Sequence, residues 1–382
     1  MSKLKLKNIK WNNVLAYLIL IAATCYFGFF GMQRNLNRIT TILLEKAVVA
    51  MILAVSLNLV VGFLGELSLG HAGFMCVGAY VGAKTAVMMT ERMGPGNELP
   101  ILLISLLVGG VCAAVCGVII GLPALRLRGD YLAIVTLAFG EIVRSVFENL
   151  PDELFGGSLG QQAVRFDRYY LFIVGFILVI ITLAVIQNFI RSKHGRAVTS
   201  IRDSEIAARA TGINVTKYKL MVFTVSAFFA GIAGVLFSFT QNKVQPTTFD
   251  YNYSIEILVM VVLGGMGSIY GSLISAVLIT YLNEELQIVL TGDLAVLRGL
   301  MYALVMILLV IYRNAPALKA FREKVSIKNL LGKLRRHDPA KIKDDEHSWD
   351  RVPTKIMVDE VLSVDVQTKS PYTPDKKRKE DE

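Results

Sequence analysis

The chain has 382 residues, of which 54% are apolar and 18% charged, and its mean hydropathy is +0.54. Average soluble domains carry about 25% charged residues, so this composition excludes an ordinary soluble protein and favours a bundle of membrane-spanning helices. The formal charge of +10 lies in loops and tails between apolar runs, which is typical of membrane topology signals and argues against nucleic-acid binding.

The N-terminal segment, residues 1–13, carries four lysines before an apolar run over 14–30. A signal peptide would show a similar charge pattern, but no A-x-A-like cleavage site follows the run. We therefore predict an uncleaved first span with a cytoplasmic N-terminus. A second span is predicted over 42–63, with Glu45 and Lys46 at the membrane interface near its outer end.

A glycine-rich stretch, Gly65–Gly73, separates the second span from an apolar stretch that ends near Met89. A broken helix is tolerated in lipid only where protein or a water-filled cavity satisfies its backbone. We therefore predict a break that lines the translocation path, with Ser68, Gly70 and His71 as path residues. The alternative is a tight turn at the membrane surface, with His71 hydrogen-bonded to a neighbouring span.

Four further helices are predicted before residue 240. They cover residues 101–122, 131–149, 169–190 and 220–239. Small residues in the first and last of these helices suit close packing against another helix. The second is unusually polar, with Glu141 and Arg144 three residues apart on one face. Ionisable residues at membrane depth are functional candidates, so Glu141 is a candidate path residue, and a salt-bridged helix end is the alternative.

A basic, polar segment over 191–219 interrupts the apolar runs, and its positive charge predicts a cytoplasmic loop. Ser200 is predicted to cap a short helix over Ile201–Thr211, with Asp203 three residues after the cap. Gly212 is the residue type that ends a helix in the left-handed conformation. This helix, framed by two long apolar runs, is interpreted as a docking element for another protein.

The predicted docking helix has two distinct faces. The charged face consists of Arg202, Glu205 and Arg209, and Glu205 precedes Arg209 by four residues in the order that favours an ion pair. The opposite face is nearly flat and comprises Ile201, Ser204, Ala207, Ala208 and Thr211. A flat face allows close approach of another protein surface, while the charges beside it fix the register. The alternative is an ordinary amphipathic surface helix.

A second break is predicted in the C-terminal third of the membrane domain. Residues 255–263 are too few to span a bilayer as a straight helix, and glycines over 264–271 separate them from an apolar run over 273–282. Interrupted helices of this kind line binding sites in transporters, so Gly265 and Ser268 are further candidate path residues.

A last span is predicted over 297–312, which brings the total to about ten. The alternation of inside and outside loops then leaves both termini in the cytoplasm. The membrane domain accordingly covers 14–312. Residues 313–382 carry many charges of both signs and few apolar residues, which predicts a largely disordered cytoplasmic tail.

Four stretches, taken in order, resemble one family of transport proteins. They are GELSLGHAGF at Gly65–Phe74, LRGDYLAIVTLAFGEIVR at Leu127–Arg144, the pair Ala207-Ala208 followed by Gly212, and LGGMGSIYGS at Leu263–Ser272. The third resembles the E-A-A-x3-G coupling loop of ABC-importer permeases, which sits in a cleft on the ATPase subunit. Together they resemble the LivM-type permease subunits of branched-chain amino acid importers over 42–312. The family's glutamate would stand at Ile206, whereas this chain has Glu205 one position earlier.

The resemblance implies an all-α, polytopic helix bundle with broken helices, of the type II ABC-importer kind, in the bacterial cytoplasmic membrane. It implies that the segment over 191–219 couples transport to ATP hydrolysis. The residues implied for that contact are Arg202, Asp203, Glu205, Ala207, Ala208, Arg209 and Gly212. The implied partners are a second, LivH-like permease in a heterodimer, two cytoplasmic ATPases that bind ATP and Mg, and an extracytoplasmic substrate-binding protein. No cofactor or metal is expected on this chain.

The sequence also weighs against other classes of function. It contains no G-x4-G-K-[ST] motif, so ATP hydrolysis is expected on partner subunits and not on this chain. An ion-coupled secondary transporter requires carboxylates near the bilayer midplane, whereas Glu66, Glu141 and Glu256 all lie near predicted span ends. A membrane-embedded enzyme requires paired catalytic groups, and no such pair is recognised in the sequence. Within the importer class, permeases for other amino acids, amides or urea are closely related alternatives.

Overall fold

The computed structural model describes residue 26, residues 38–289 apart from 95, 128, 165 and 167, and residues 300, 301, 303, 304, 307 and 311. The predicted first span over 14–30 and last span over 297–312 lie for the most part outside the described residues. The N-terminal segment over 1–13 and the tail over 313–382 lie wholly outside them. The orientation of the termini therefore stays a prediction.

Helices make up most of the described chain, which agrees with the predicted all-α class. In chain order they are α1 (Arg38–Asn58), α2 (His71–Met93), α3 (Glu98–Ala124), α4 (Asp130–Asn149), α5 (Asp152–Phe155), α6 (Arg168–Arg191), α7 (Lys193–Asp203), α8 (Glu205–Ala210), α9 (Val215–Thr240), α10 (Tyr251–Gly264) and α11 (Ile269–Val289). A π-helix, Leu59–Leu64, continues α1, and two 3₁₀ turns cover Gly157–Leu159 and Pro246–Phe249. Two short strands, β1 (Gln161–Gln162) and β2 (Lys243–Val244), pair antiparallel, with Gln161 opposite Val244.

Five of the described helical segments are long and apolar enough to cross a membrane. They are Thr40–Leu64, His71–Met93, Glu98–Ala124, Leu171–Arg191 and Val215–Thr240. Each falls where the sequence predicts a span. The helix α10 is apolar but short, as expected for half of a broken span. The described residues thus account for part of the predicted ten spans.

The core is built around α1 and α9. The helix α9 packs against α1, α2 and α3, and α1 packs in addition against α6 and α11. Small residues allow these helices to approach each other closely. A β-carbon at Gly231 of α9 would lie 2.5 Å from the β-carbon of Ala113 of α3. At Gly234, one would lie 2.0 Å from the carbonyl oxygen of Met75 of α2. The predicted close packing through small residues is confirmed.

Both predicted helix breaks are confirmed. The first runs from the π-helix through non-helical backbone over 65–70, and Gly65 adopts a φ of 80°. The second separates α10 from α11 over 265–268, where Gly265 and Gly267 adopt φ values of 97° and 81°. Glycine enters this left-handed region without the steric cost that a β-carbon brings.

The charged pair predicted at the outer end of the second span has partners on other helices. Glu45 is only 7% exposed, and the half-buried Lys46 forms an ion pair with Glu284 of α11. The sequence did not predict this contact, because α11 packs on α1 from a position 238 residues further along the chain. The depth of Glu45 and Lys46 in the membrane stays a prediction.

Candidate functional site

The predicted docking helix is two helices in the structure, α7 and α8, which meet at Ser204. Ser192 caps α7 through a 3.3 Å hydrogen bond from the Gly195 N–H, and Ser204 caps α8 through a 3.3 Å hydrogen bond from the Ala207 N–H. The prediction of Ser200 as the cap of one continuous helix is wrong, since Ser200 lies inside α7 and its hydroxyl donates to the Ala197 carbonyl. Several serines lie at suitable spacings, and local rules do not choose among them.

The prediction that Gly212 ends a helix in the left-handed conformation is confirmed. Its φ is 83°, and its N–H donates to the carbonyl of Arg209 at 3.0 Å. The N–H of Ile213 donates to the carbonyl of Ala208, also at 3.0 Å. These two hydrogen bonds form a Schellman motif, which satisfies carbonyl groups at the end of α8 and turns the chain toward α9.

The charged face of α8 is tied into the protein interior. Glu205 forms the predicted ion pair with Arg209 at 2.6 Å. Its second carboxylate oxygen lies 3.2 Å from the Nζ atom of Lys219, which is only 3% exposed and also pairs with Glu66 of the first break. Sequence reasoning missed Lys219 as a site residue. A lysine near the buried start of an apolar helix is the signal that could have found it, because a buried ammonium group requires a carboxylate.

A second contact links the predicted docking segment, which consists of α7 and α8, to the first break. The Nη1 atom of Arg202 donates to the carbonyl of Gly62 in the π-helix at 3.2 Å, while its Nη2 atom pairs with Asp203 at 3.0 Å. Asp203 therefore orients an arginine and does not complete a capping box. Because the last carbonyls of a helix lack intrahelical partners, the guanidinium group stabilises the end of the π-helix.

The flat alanine face divides between interior and solvent. Ala208 is 3% exposed and belongs to the core of this chain, and Ile201 is 4% exposed. Ala207 is exposed, and Ile206 beside it is 79% exposed, the largest value for a large hydrophobic side chain among the described residues. The predicted flat docking face is therefore wrong in composition: the exposed apolar surface is centred on Ile206, because the turn at Ser204 rotates α8 relative to α7.

The first break is held by hydrogen bonds from neighbouring helices. The N–H of Leu69 donates to the Thr136 hydroxyl of α4 at 3.0 Å. The Nε2 atom of His71 and the Ser56 hydroxyl of α1 share a hydrogen bond of 2.8 Å. His71 is 2% exposed and Ser68 is 1% exposed, so both lie in the packed interior in this conformation. This surrounding resembles the alternative in which His71 bonds to a neighbouring span, and the assignment of both residues to a path stays a prediction.

The two breaks lie against each other, which the sequence did not predict. Asn58, fully buried at the start of the π-helix, accepts a hydrogen bond from the Gly267 N–H at 2.9 Å. Its amide nitrogen donates to the Ser272 hydroxyl of α11 at 2.9 Å. Gly265 is half-buried and Ser268 is exposed at the same turn. One side chain thus joins the two interrupted helices.

The remaining candidate, Glu141, takes part in a ladder of charges along α4. Arg144 donates to Glu141 at 2.9 Å and to Glu148 at 3.0 Å, and the three side chains are about one third exposed. This arrangement is the salt-bridged helix that the sequence left open as an alternative. Among the described residues, no group of three or more His, Cys, Asp or Glu could hold a metal ion.

Comparison with known proteins identifies relatives over most of the chain. The family described as the permease component of branched-chain amino acid transport systems matches residues 39–310. The high-affinity branched-chain amino acid transport system permease protein LivM of Escherichia coli (strain K12) is 35% identical over 327 residues, covering 77% of this chain and 73% of the relative. The LivM protein of Salmonella typhimurium is 36% identical over 312 residues, covering 73% and 69%.

A more distant relative is the ribose import permease protein RbsC of Haemophilus influenzae, 28% identical over 299 residues, covering 73% of this chain and 86% of the relative. No solved structure gives a significant match to the chain. The matched region contains α1 apart from its first residue, both helix breaks and the docking segment.

Proposed function

The chain belongs to the family of permease components of branched-chain amino acid transport systems, and from that premise we propose that partner ATPases drive it through the α7–α8 segment. It is a membrane transport subunit and not an enzyme. The proposed substrates are branched-chain amino acids, delivered by an extracytoplasmic binding protein. Permeation of urea or amides is the alternative within the same class.

The observation that carries the proposal is the exposed apolar surface of α8. Ile206, Ala207 and Ala210 are exposed on a six-residue helix between two membrane spans. Exposed apolar surface rimmed by charge is typical of protein–protein contacts. Asp203 and Arg209 provide charges at its edges. Ile206 occupies the position of the family's glutamate, so we propose that an apolar contact here replaces a charged one.

We propose that movement of α8 reaches the spans through the two contacts to the first break. Lys219 joins Glu205 of α8 to Glu66, and Arg202 joins α7 to Gly62. Packed elements held by discrete ion pairs shift as units, so displacement of α7 and α8 would displace the π-helix. Asn58 would then carry the displacement to the second break.

The proposed assembly contains a second, related permease, two cytoplasmic ATPases and a binding protein. ATP and Mg would be bound by the ATPases. The loop over 191–219 and both termini would face the cytoplasm of a bacterial cell, because the positive charge of this chain concentrates there. Ser68, Gly70, His71, Gly265, Ser268 and Glu141 stay proposed path residues for conformations in which the two breaks separate.

The experiment that tests docking uses Ile206→Lys and Ala207→Lys in the assembled transporter. An ammonium group inserted into an apolar contact would be desolvated, so both variants are expected to lose co-purification of the ATPases and stimulated ATP hydrolysis. Both positions are exposed, so the fold of the permease is expected to stay intact. The control is Thr247→Lys, exposed on the loop beyond the other end of α9. Full co-purification of Ile206→Lys and Ala207→Lys would contradict the proposal.

A further inference from the structure

A cavity of about 280 Å³ lies near the end of α9 that is remote from the docking segment. The helices α7 and α8 precede α9, whereas Gln241, which lines the cavity, directly follows the last residue of α9. Thr248 in the following loop also lines the cavity. The cavity is therefore placed on the side from which substrate would be delivered if α7 and α8 face the cytoplasm.

Ionisable side chains from three helices line this cavity. They are Lys46 of α1, Glu256 of α10 and Glu284 of α11. Lys46 and Glu284 form an ion pair, and the side chains are 36% and 14% exposed. The Nδ2 atom of Asn283 lies 3.4 Å from a carboxylate oxygen of Glu256. Charges within apolar helices are costly, and in membrane proteins they mark substrate or ion sites.

The rest of the lining is aliphatic and aromatic. It consists of Val49, Ala50, Phe237, Ile257 and Met260, with Thr280 and Tyr253 adding hydroxyl groups. Small-molecule sites combine such apolar walls with a few placed polar groups, and the volume lies near the lower end of their usual range, roughly 300–1,000 Å³. The occupant is therefore a small molecule with charges at one end and an apolar body.

We propose that this cavity is a transient binding site on the permease for a zwitterionic α-amino acid with an aliphatic side chain. Its carboxylate would pair with Lys46, its ammonium group would pair with Glu256, and its side chain would lie on the apolar wall. A zwitterion can pair with both the ammonium and the carboxylate groups of the lining without adding net charge to a low-dielectric site. This inference rests on the proposed function, because it assigns the cavity to the substrate of the importer.

The test measures protection of a cysteine at Thr248 by added amino acid. The permease–ATPase complex, without binding protein, is placed in lipid nanodiscs in a background lacking native cysteines. Millimolar leucine is expected to slow thiol labelling of Thr248→Cys several-fold. 4-Methylpentanoate lacks the ammonium group and 3-methylbutylamine lacks the carboxylate, and neither is expected to protect. Thr247→Cys, exposed on the neighbouring position and absent from the lining, is the control.

Two variants separate binding from a structural role of the charges. Glu256→Gln keeps the shape of the side chain and an oxygen for Asn283 but removes the negative charge. It is expected to raise the leucine concentration needed for protection at least tenfold with unchanged thermal stability. Lys46→Met, which also breaks the ion pair with Glu284, is expected to abolish protection. Protection that survives in both variants would overturn the assignment.

Different results would contradict the cavity site and the proposed function. ATP-driven leucine uptake by the complete transporter with no protection at Thr248→Cys would overturn the cavity site and leave the proposed function standing. Equal protection by leucine and 4-methylpentanoate would overturn recognition of a zwitterion. Absence of uptake in a complex that retains its ATPases would overturn the proposed function instead.

Discussion

Lys219 is 3% exposed, and a protein interior tolerates such a charge only when it is paired and hydrogen-bonded. Its partners are Glu66, at the first helix break, and Glu205, at the start of α8. One ammonium group therefore holds together the start of α9, the break and the docking segment. The same contact explains why Glu205 points inward while Ile206, the next residue, faces solvent.

The first prediction concerns Lys219→Met. Breaking a buried ion pair costs about 3–5 kcal/mol, and the two carboxylates are 13% and 19% exposed, so we expect a value at the lower end of that range. The variant should lower the melting temperature of the purified permease and weaken stimulation of the ATPases. Lys217→Met is the matched control, because Lys217 lies two residues earlier and is exposed. Equal melting temperatures for the two variants would show that the pairing does not stabilise the fold.

The second prediction compares two serines that are both fully buried in helices. Ser272 accepts a hydrogen bond from Asn58, whereas the Ser105 hydroxyl has no hydrogen-bond partner among the described residues. Ser272→Ala leaves a buried amide N–H unpaired, which costs about 1–3 kcal/mol, while Ser105→Ala should be neutral or slightly stabilising. Thermal unfolding of both variants measures the difference. A greater loss for Ser105→Ala would mean that Asn58 does not depend on Ser272.

The positions of the helices could be predicted from the sequence where local chemistry determines them. Span positions follow from apolar runs, and the left-handed Gly212 follows from the absence of a β-carbon. The turn at Ser204 was missed, because capping rules fit several serines equally well. The contacts of Glu66 with Lys219 and of Asn58 with Gly267 join residues 153 and 209 positions apart, and no periodicity in the sequence reports such pairs.

Gly70, predicted as a path residue, lies in close contact with α4. A β-carbon at Gly70 would lie 2.4 Å from the carbonyl oxygen of Thr136, so α4 approaches the backbone of the break directly. A bulky substitution at Gly70 would therefore disturb helix packing whether or not the residue lines a path. This contact also supplies a physical reason for glycine at this position that is independent of transport.

The third prediction follows from that contact. Gly70→Ala should destabilise the permease by about 1–3 kcal/mol through overpacking, because the rigid carbonyl group of Thr136 has to move. Gly140→Ala is the matched control on the facing helix, where a β-carbon meets no atom closer than 3.8 Å. Detergent melting curves and membrane levels of the two variants measure the effect. Equal stability would show that α4 moves away from the break at little cost.

The helix α9 connects the two proposed sites. Its 26 residues span about 39 Å at 1.5 Å per residue, more than the hydrocarbon thickness of a bilayer, roughly 30 Å. Lys219 lies near its first turn and Gln241 follows its last. The docking segment and the charged cavity therefore lie at opposite ends of one buried helix, as required if ATP is used on one side and substrate arrives on the other.

The last prediction is the orientation of α9, which determines the side of the membrane on which each of the two proposed sites lies. Positive residues are concentrated on cytoplasmic loops, and such a cluster extends from the end of α6 into the start of α9: Arg191, Lys193, Arg196, Arg202, Arg209, Lys217 and Lys219. Thr216→Cys, exposed in the first turn of α9, should react with a membrane-impermeant thiol reagent only after the membrane is permeabilised. Thr247→Cys, exposed beyond the other end, should react in spheroplasts without permeabilisation. Both variants belong in a background lacking native cysteines. The reverse labelling pattern would place α8 outside the cell, where no ATP-hydrolysing partner could dock, and would move the cavity to the cytoplasmic side.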